Sequence, residues 1–154
     1  MPGALVNAII RHFDSTLEGP NGDYPAVLEA VAGLTAQQAA WKPSPDATSI
    51  WQIVDHLAAS KEWQIEILEK GQAVAPAWTE PPGDELAWQA SVAHLKAAHL
   101  RLKAALAQLT DERLLDYPLP ELSRTLLELI LSSGSAHEAH HSGEMSYLRG
   151  LQGA

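Results

Sequence analysis

Cysteine is absent from the 154 residues of this chain. Its absence excludes disulfides, thiolate metal sites, iron–sulfur clusters and a cysteine nucleophile, and leaves the redox compartment open. Basic residues are scarce as well: 10 Lys and Arg stand against 19 Asp and Glu, a formal net charge of −9. Phosphate affinity rests on clustered Lys and Arg. No such cluster occurs, so no nucleic-acid partner is expected. Long apolar runs are also missing, since no segment approaches the roughly 18 consecutive apolar residues of a membrane helix. The start, Met1 to Val6, lacks the charged region, apolar run and cleavage site of a signal peptide. The expectation is a cytoplasmic protein with no membrane partner. Strand formers are few: Val and Ile total 13 against 25 Ala and 22 Leu, which favours helix over sheet.

Length and a hydrophobic fraction of 46% fit one domain over residues 1–154 with its own core. The spacing predicts a first helix from about Ala4 to Leu17, with Leu5, Ile9, Phe13 and Leu17 on one face, ending at the breaker run Glu18 to Gly22. A short helix over Tyr24 to Gly33 and a turn over Gln37 to Trp41 follow. A second long helix runs to Lys70, with Thr48 or Ser49 as N-cap and Gly71 as its stop. The loop from Gln72 to Asp84 holds three prolines, Pro76, Pro81 and Pro82. A third helix spans about Glu85 to Leu109 and a fourth about Ser123 to Leu151, separated by a turn at Thr110 to Glu112 and by Pro118 and Pro120. The expected fold is all-α, a four-helix bundle with long inter-helix connections and an open topology, crossover included.

Seven histidines remain as the main supply of metal ligands and proton carriers. At about 100° per residue, Leu127, Ile130, Gly134, His137, His141 and Leu148 form one stripe on the last helix. Two imidazoles therefore sit where a bundle puts Leu, one turn apart, beside a glycine that removes bulk. Buried polar groups need partners, and one ion satisfies both rings. On the second helix, Ile53, Ser60, Trp63 and Ile67 flank His56 and place it on the apolar arc. Three neutral nitrogen ligands are the complement of an open catalytic site, and all-nitrogen ligation suits zinc, nickel, iron or copper. Spacing alone is equally compatible with chance placement in an Ala/Leu-rich bundle. Glu144, one turn beyond His141, is a candidate to bond a ligand imidazole or accept a proton, and His140 to line the mouth of the site. His12 and His99 fall on apolar stripes as core residues, second partners or a fourth ligand, and His94 falls on the solvent side.

Two stretches resemble the DinB/YfiT-like superfamily. One runs from Leu28 through Gly33-Leu34-Thr35 and Trp41-Lys42-Pro43 into Ser49-Ile50-Trp51-Gln52-Ile53-Val54-Asp55-His56-Leu57. The other is His137-Glu138-Ala139-His140-His141-Ser142-Gly143-Glu144-Met145-Ser146-Tyr147-Leu148-Arg149. The resemblance implies a divalent metal, zinc or nickel first and iron or manganese after them, held by His56, His137 and His141. It departs at His140, where the family has an aromatic residue, and at Glu144, where it has Gln.

Activities implied by the resemblance are thiol S-transfer with a low-molecular-weight thiol, such as bacillithiol or mycothiol, and maleylpyruvate isomerase-like chemistry. The leading expectation is a metal-dependent thiol S-transferase in which the metal activates the thiol and Glu144 or His140 moves the proton. The alternative is a non-catalytic metal-binding stress-response protein whose fourth coordination position is closed by Glu144, His12 or His99. A homodimer is expected from the resemblance and from a surplus of large apolar residues. Arg149 and Lys61 are isolated candidates for binding an anionic ligand, with surface charge the expected role of each, and Trp63 is a candidate to wall a pocket, with core packing its expected role.

Overall fold

Backbone capping explains where each helix begins. In the computed structural model, which describes residues 1–81 and 83–154, helix α1 is Ala4–Leu17. Gly3 offers no side-chain cap. The exposed amides of Leu5 and Val6 donate instead to the Asp111 carboxylate at 3.2 and 3.0 Å. A carboxylate there also opposes the positive end of the helix dipole. Thr35 caps α3, Ala36–Ala40, and Ser49 caps α4, Ile50–Lys70, each with a Gln at N3 completing a capping box. Between α1 and α3 lies α2, Val27–Val31. Gly71 ends α4 at φ 68°, a left-handed conformation that a Cβ would oppose. Asp84 caps α5, Glu85–Leu106, through the Ala87 amide at 2.7 Å.

The third long helix stops three residues short of the expected Leu109, and its chain leaves through 3₁₀-type bonds from Gln108 to Ala105 and from Leu109 to Leu106. The last helix is interrupted. Ser123 sits at φ 49°, outside helical space, so the helix starts behind a Thr125–Glu128 capping box as α6, Leu126–Ile130. A π-helical turn, Leu131–Ala136, joins it to α7, His137–Gln152. Two short 3₁₀ turns, Glu112–Leu115 and Pro120–Leu122, fill the connection before it. The loop 72–84 contains no regular element among its described residues, and Pro82, one of its three prolines, lies outside them.

The fold is all-α, with no strand among the described residues beyond one isolated bridge between Leu119 and Arg124. No helix among them is long and apolar enough to cross a membrane. Helix α4 packs most heavily on α5. Helix α1 packs on α5 and α7, while α4 also packs on α7. The consecutive long helices α1 and α4 are therefore not principal neighbours, and the connection carrying α2 and α3 is a crossover.

Two apolar cores result. One gathers Leu17, Val27, Trp51, Val54, Trp88, Leu95 and Met145; the other gathers Val6, Ile9, Phe13, Ile65, Leu102, Leu126 and Ile130. Between them every long helix contributes polar groups at one level: Thr16 on α1, Lys61 on α4, His99 on α5 and Glu138 on α7. Lys61 bonds Glu138 and, at 3.2 Å, His99 Nδ1. His99 Nε2 lies 2.9 Å from Asp14, which also pairs with Lys103 at 2.7 Å. Thr16 donates to Glu138 at 2.5 Å. Burying charge is unfavourable unless it is paired and hydrogen-bonded. Each of these groups finds such a partner.

Candidate metal centre

The same polar level carries the histidine cluster. His56 lies on the second turn of α4, His137 opens α7 immediately after the π turn, and His141 follows one turn later. His137 Nε2 is 3.1 Å from His56 Nε2 and 2.9 Å from His141 Nε2. Nitrogen ligands at about 2.0–2.1 Å from one ion lie roughly 3 Å from one another; two of the three pairs already have that spacing, and all three ligand nitrogens lie within 4.8 Å of one another.

Proton placement shows why hydrogen bonds alone do not satisfy the trio. His141 Nδ1 lies 2.5 Å from Glu144 Oε2. A carboxylate only accepts, so Nδ1 holds the proton and Nε2 is a lone pair. If His137 Nε2 is protonated it donates to His141, and its single proton must be shared with His56. If it is not, His56 can donate to it, and two lone pairs face each other at 2.9 Å. His56 Nδ1 is buried without a partner in either case. A cation at the convergence point removes the conflict, and the donor set fits a divalent ion of borderline softness.

The imidazoles are held neutral. Burial, reinforced by the neighbouring rings, pushes His137 down to about 4. Burial likewise lowers His56, and it lowers His141 despite the opposing pull of Glu144. Lone pairs are therefore available at neutral pH. Glu144 Oε1 lies 3.2 Å from the exposed His140 ring, so a continuous path runs from solvent through His140 and Glu144 to His141.

Trp78 stacks on His56 with ring centroids 4.1 Å apart and planes at 12°. The loop that carries it is tied down by Glu80, which accepts from Lys42 and from Gln52, both at 3.1 Å. Sequence periodicity is silent in this loop and leaves Trp78 either to pack under it or to meet a second subunit; in the structure it covers His56. A cavity of about 330 Å³ opens beside the trio, lined by His56, His137, Trp63, Pro76, Arg124 and Ser133 among others. Trp63 does wall a pocket.

Other expectations need correction. His12 is exposed, because the buried arc of α1 is Val6, Ile9, Phe13, Thr16 and Leu17, and His12 lies about 90° from its centre. His99 is instead the expected hydrogen-bonded core histidine, with both nitrogens engaged in the polar layer, and His94 lies at the surface as expected, paired with Glu62. Neither His12 nor His99 offers a nitrogen to the trio. Gly134 makes room for α1 and α4 rather than for the histidines: a Cβ there would lie 2.1 Å from Phe13 Cζ and 3.0 Å from Gln64 Oε1. Lys61 is buried against Glu138, and Arg149 bonds the carbonyls of Ala30 and Ala32, so neither expected cation faces the cavity. Arg124 does.

A family model described as the DinB superfamily matches residues 23–145, which takes in α2 through most of α7 and all three histidines. The chain belongs to the DinB superfamily. That superfamily binds metal in general, and in this member His56, His137 and His141 are brought within reach of one ion. No curated protein and no solved structure matches the chain.

Proposed function

We propose that this DinB-superfamily protein is a divalent-metal enzyme of the thiol S-transferase type, with zinc or nickel held by His56, His137 and His141. The observation that carries the reading is a three-nitrogen cluster opening directly onto a cavity lined by two of its members. A structural site would be closed by a fourth protein ligand. Of the three residues able to close it, His12 is exposed, His99 is bonded to Lys61 and Asp14, and Glu144 is bonded to His140 and His141.

Bound there, the metal would supply the Lewis acidity that turns a thiol into a thiolate near neutral pH. Glu144 fixes the His141 tautomer through its Oε2 and meets His140 through its Oε1. His140 is the solvent-side group able to take up a proton. Trp78 covers one face of the His56 ring, and Trp63 lines the cavity beside it. With no cysteine in the chain, the thiol arrives as substrate.

Elemental analysis of untagged protein purified without chelator tests the site. About one divalent ion per chain is expected, with most of it lost in His141→Ala. Stoichiometric metal that survives the substitution removes the three-histidine assignment. A screen of the metal-loaded protein with low-molecular-weight thiols and electrophilic acceptors then reads the transfer itself.

A further inference from the structure

The cavity beside the histidines has an unusual charge balance for so acidic a chain. Although Asp and Glu outnumber Lys and Arg by 19 to 10, no carboxylate lines it, and Arg124 is its one formally charged group. Arg101 pairs with Glu62, Arg113 with Asp116, and Arg149 with backbone carbonyls, while Arg11 is exposed on α1 and lines no part of this cavity. Among the described residues Arg124 has no carboxylate within ion-pair distance; Glu128, one turn on, is close enough only to feel its charge. The backbone that presents Arg124 is well held. It bridges to Leu119 on one side, and Thr125 on the other side caps α6.

The remaining wall is mainly apolar, with Trp63, Ala75 and Pro76 opposite two serines, Ser132 and Ser133, which the π turn brings to the rim. π-Helical turns inside α-helices are frequent at functional sites. At about 30 Å³ per water, 330 Å³ holds roughly eleven waters, or a ligand of about ten non-hydrogen atoms. A guanidinium without a protein partner, facing a small uncharged cavity, is arranged for an external anion, and its planar fork favours a carboxylate.

We infer that this cavity is a binding site for a small carboxylate-bearing molecule, with Arg124 taking the carboxylate, Trp63 and Pro76 the apolar body, and the reactive end directed at His56 and His137. The inference rests on the metal-enzyme reading for the role of that reactive end, while the carboxylate preference is a property of the chain itself. Arg124 is thereby the specificity-determining residue of the site.

Calorimetric titration with 3-phenylpropanoate and with 3-phenylpropan-1-ol, in zinc-loaded and metal-free protein, tests it. The pair differs at the carboxylate and matches the size of the cavity. Wild-type protein is expected to bind the carboxylate about tenfold more tightly than the alcohol in both forms, the contribution of one charge-assisted pair. Arg124→Gln is expected to abolish that ratio with the alcohol affinity and the zinc affinity unchanged, and Arg124→Lys to keep part of it. A ratio of one in wild type, a ratio that survives Arg124→Gln, or no binding of either compound overturns the inference. Failure of the thiol reading looks different: wild type would transfer no thiol while still preferring the carboxylate.

Discussion

Glu144 shows how much one side chain decides at the residue scale. Its carboxylate accepts a hydrogen bond from the Nδ1–H of His141, so that ring presents a lone pair to the cluster rather than a second donor. Glu144→Ala is expected to weaken metal binding about 10–100-fold, measured by competition with a chromogenic chelator. Glu144→Gln, whose amide oxygen also accepts, should recover much of that loss. An unchanged affinity in Glu144→Ala would mean that His141 is oriented by packing alone. The three histidines were legible from sequence because helix phase is a backbone property: residues at 137 and 141 share a face wherever the helix packs. His12 was misplaced because the same arithmetic depends on the centre of the arc. Leu5 is exposed and Val6 buried, and that difference turns His12 to solvent.

At the scale of the element, the π turn between α6 and α7 sets the site. It brings Ser132 and Ser133 to the cavity and starts α7 with His137. Gly134 lets this turn approach α1, since any Cβ would overlap the Phe13 ring. Gly134→Ala is therefore expected to destabilise the protein by about 1–3 kcal/mol through overpacking, although Ala is the better helix former. Chemical denaturation reads this directly, and a gain in stability would show that Phe13 yields freely. The sequence read residues 123–151 as one regular helix, because the π turn falls on the run Leu131–Ala136, whose serines and glycine carry no hydrophobic periodicity to report a change of phase. Asp111 was legible only as a turn residue, and its role as the cap of α1 is a contact across 105 or 106 positions.

At the scale of the whole molecule, a polar layer divides the apolar core in two, and the candidate metal centre lies in that layer. Lys61 and Glu138 are each almost fully buried and paired with one another. Removing one partner of such a pair leaves an uncompensated charge, so Lys61→Met is expected to cost about 3–5 kcal/mol. The double variant Lys61→Met, Glu138→Leu should regain most of that stability. Because Glu138 adjoins His137 on α7, the double variant is also expected to bind zinc more weakly than wild type. Stability and zinc affinity both at wild-type level would reduce the layer to tolerated polarity.

The sequence by itself determined the helical class, the capped starts of α4 and α5, and the three histidines that face inward. Each of these follows from local propensity or from a period of 3.6 residues. Only the tertiary structure decided that α1 and α4 are separated by a crossover, that His99 belongs to an ion-pair layer, and that Trp78 and Arg124 stand at the site. Trp78 and Arg124 sit on irregular connections, where no period relates one residue to the next and position is set by contacts made far along the chain. The missing cysteine and the scarce basic residues, which first narrowed the chemistry, acquire a location here. Three neutral imidazoles converge where no thiolate ligand is available, and Arg124 stands at the edge of the cavity that two of them line.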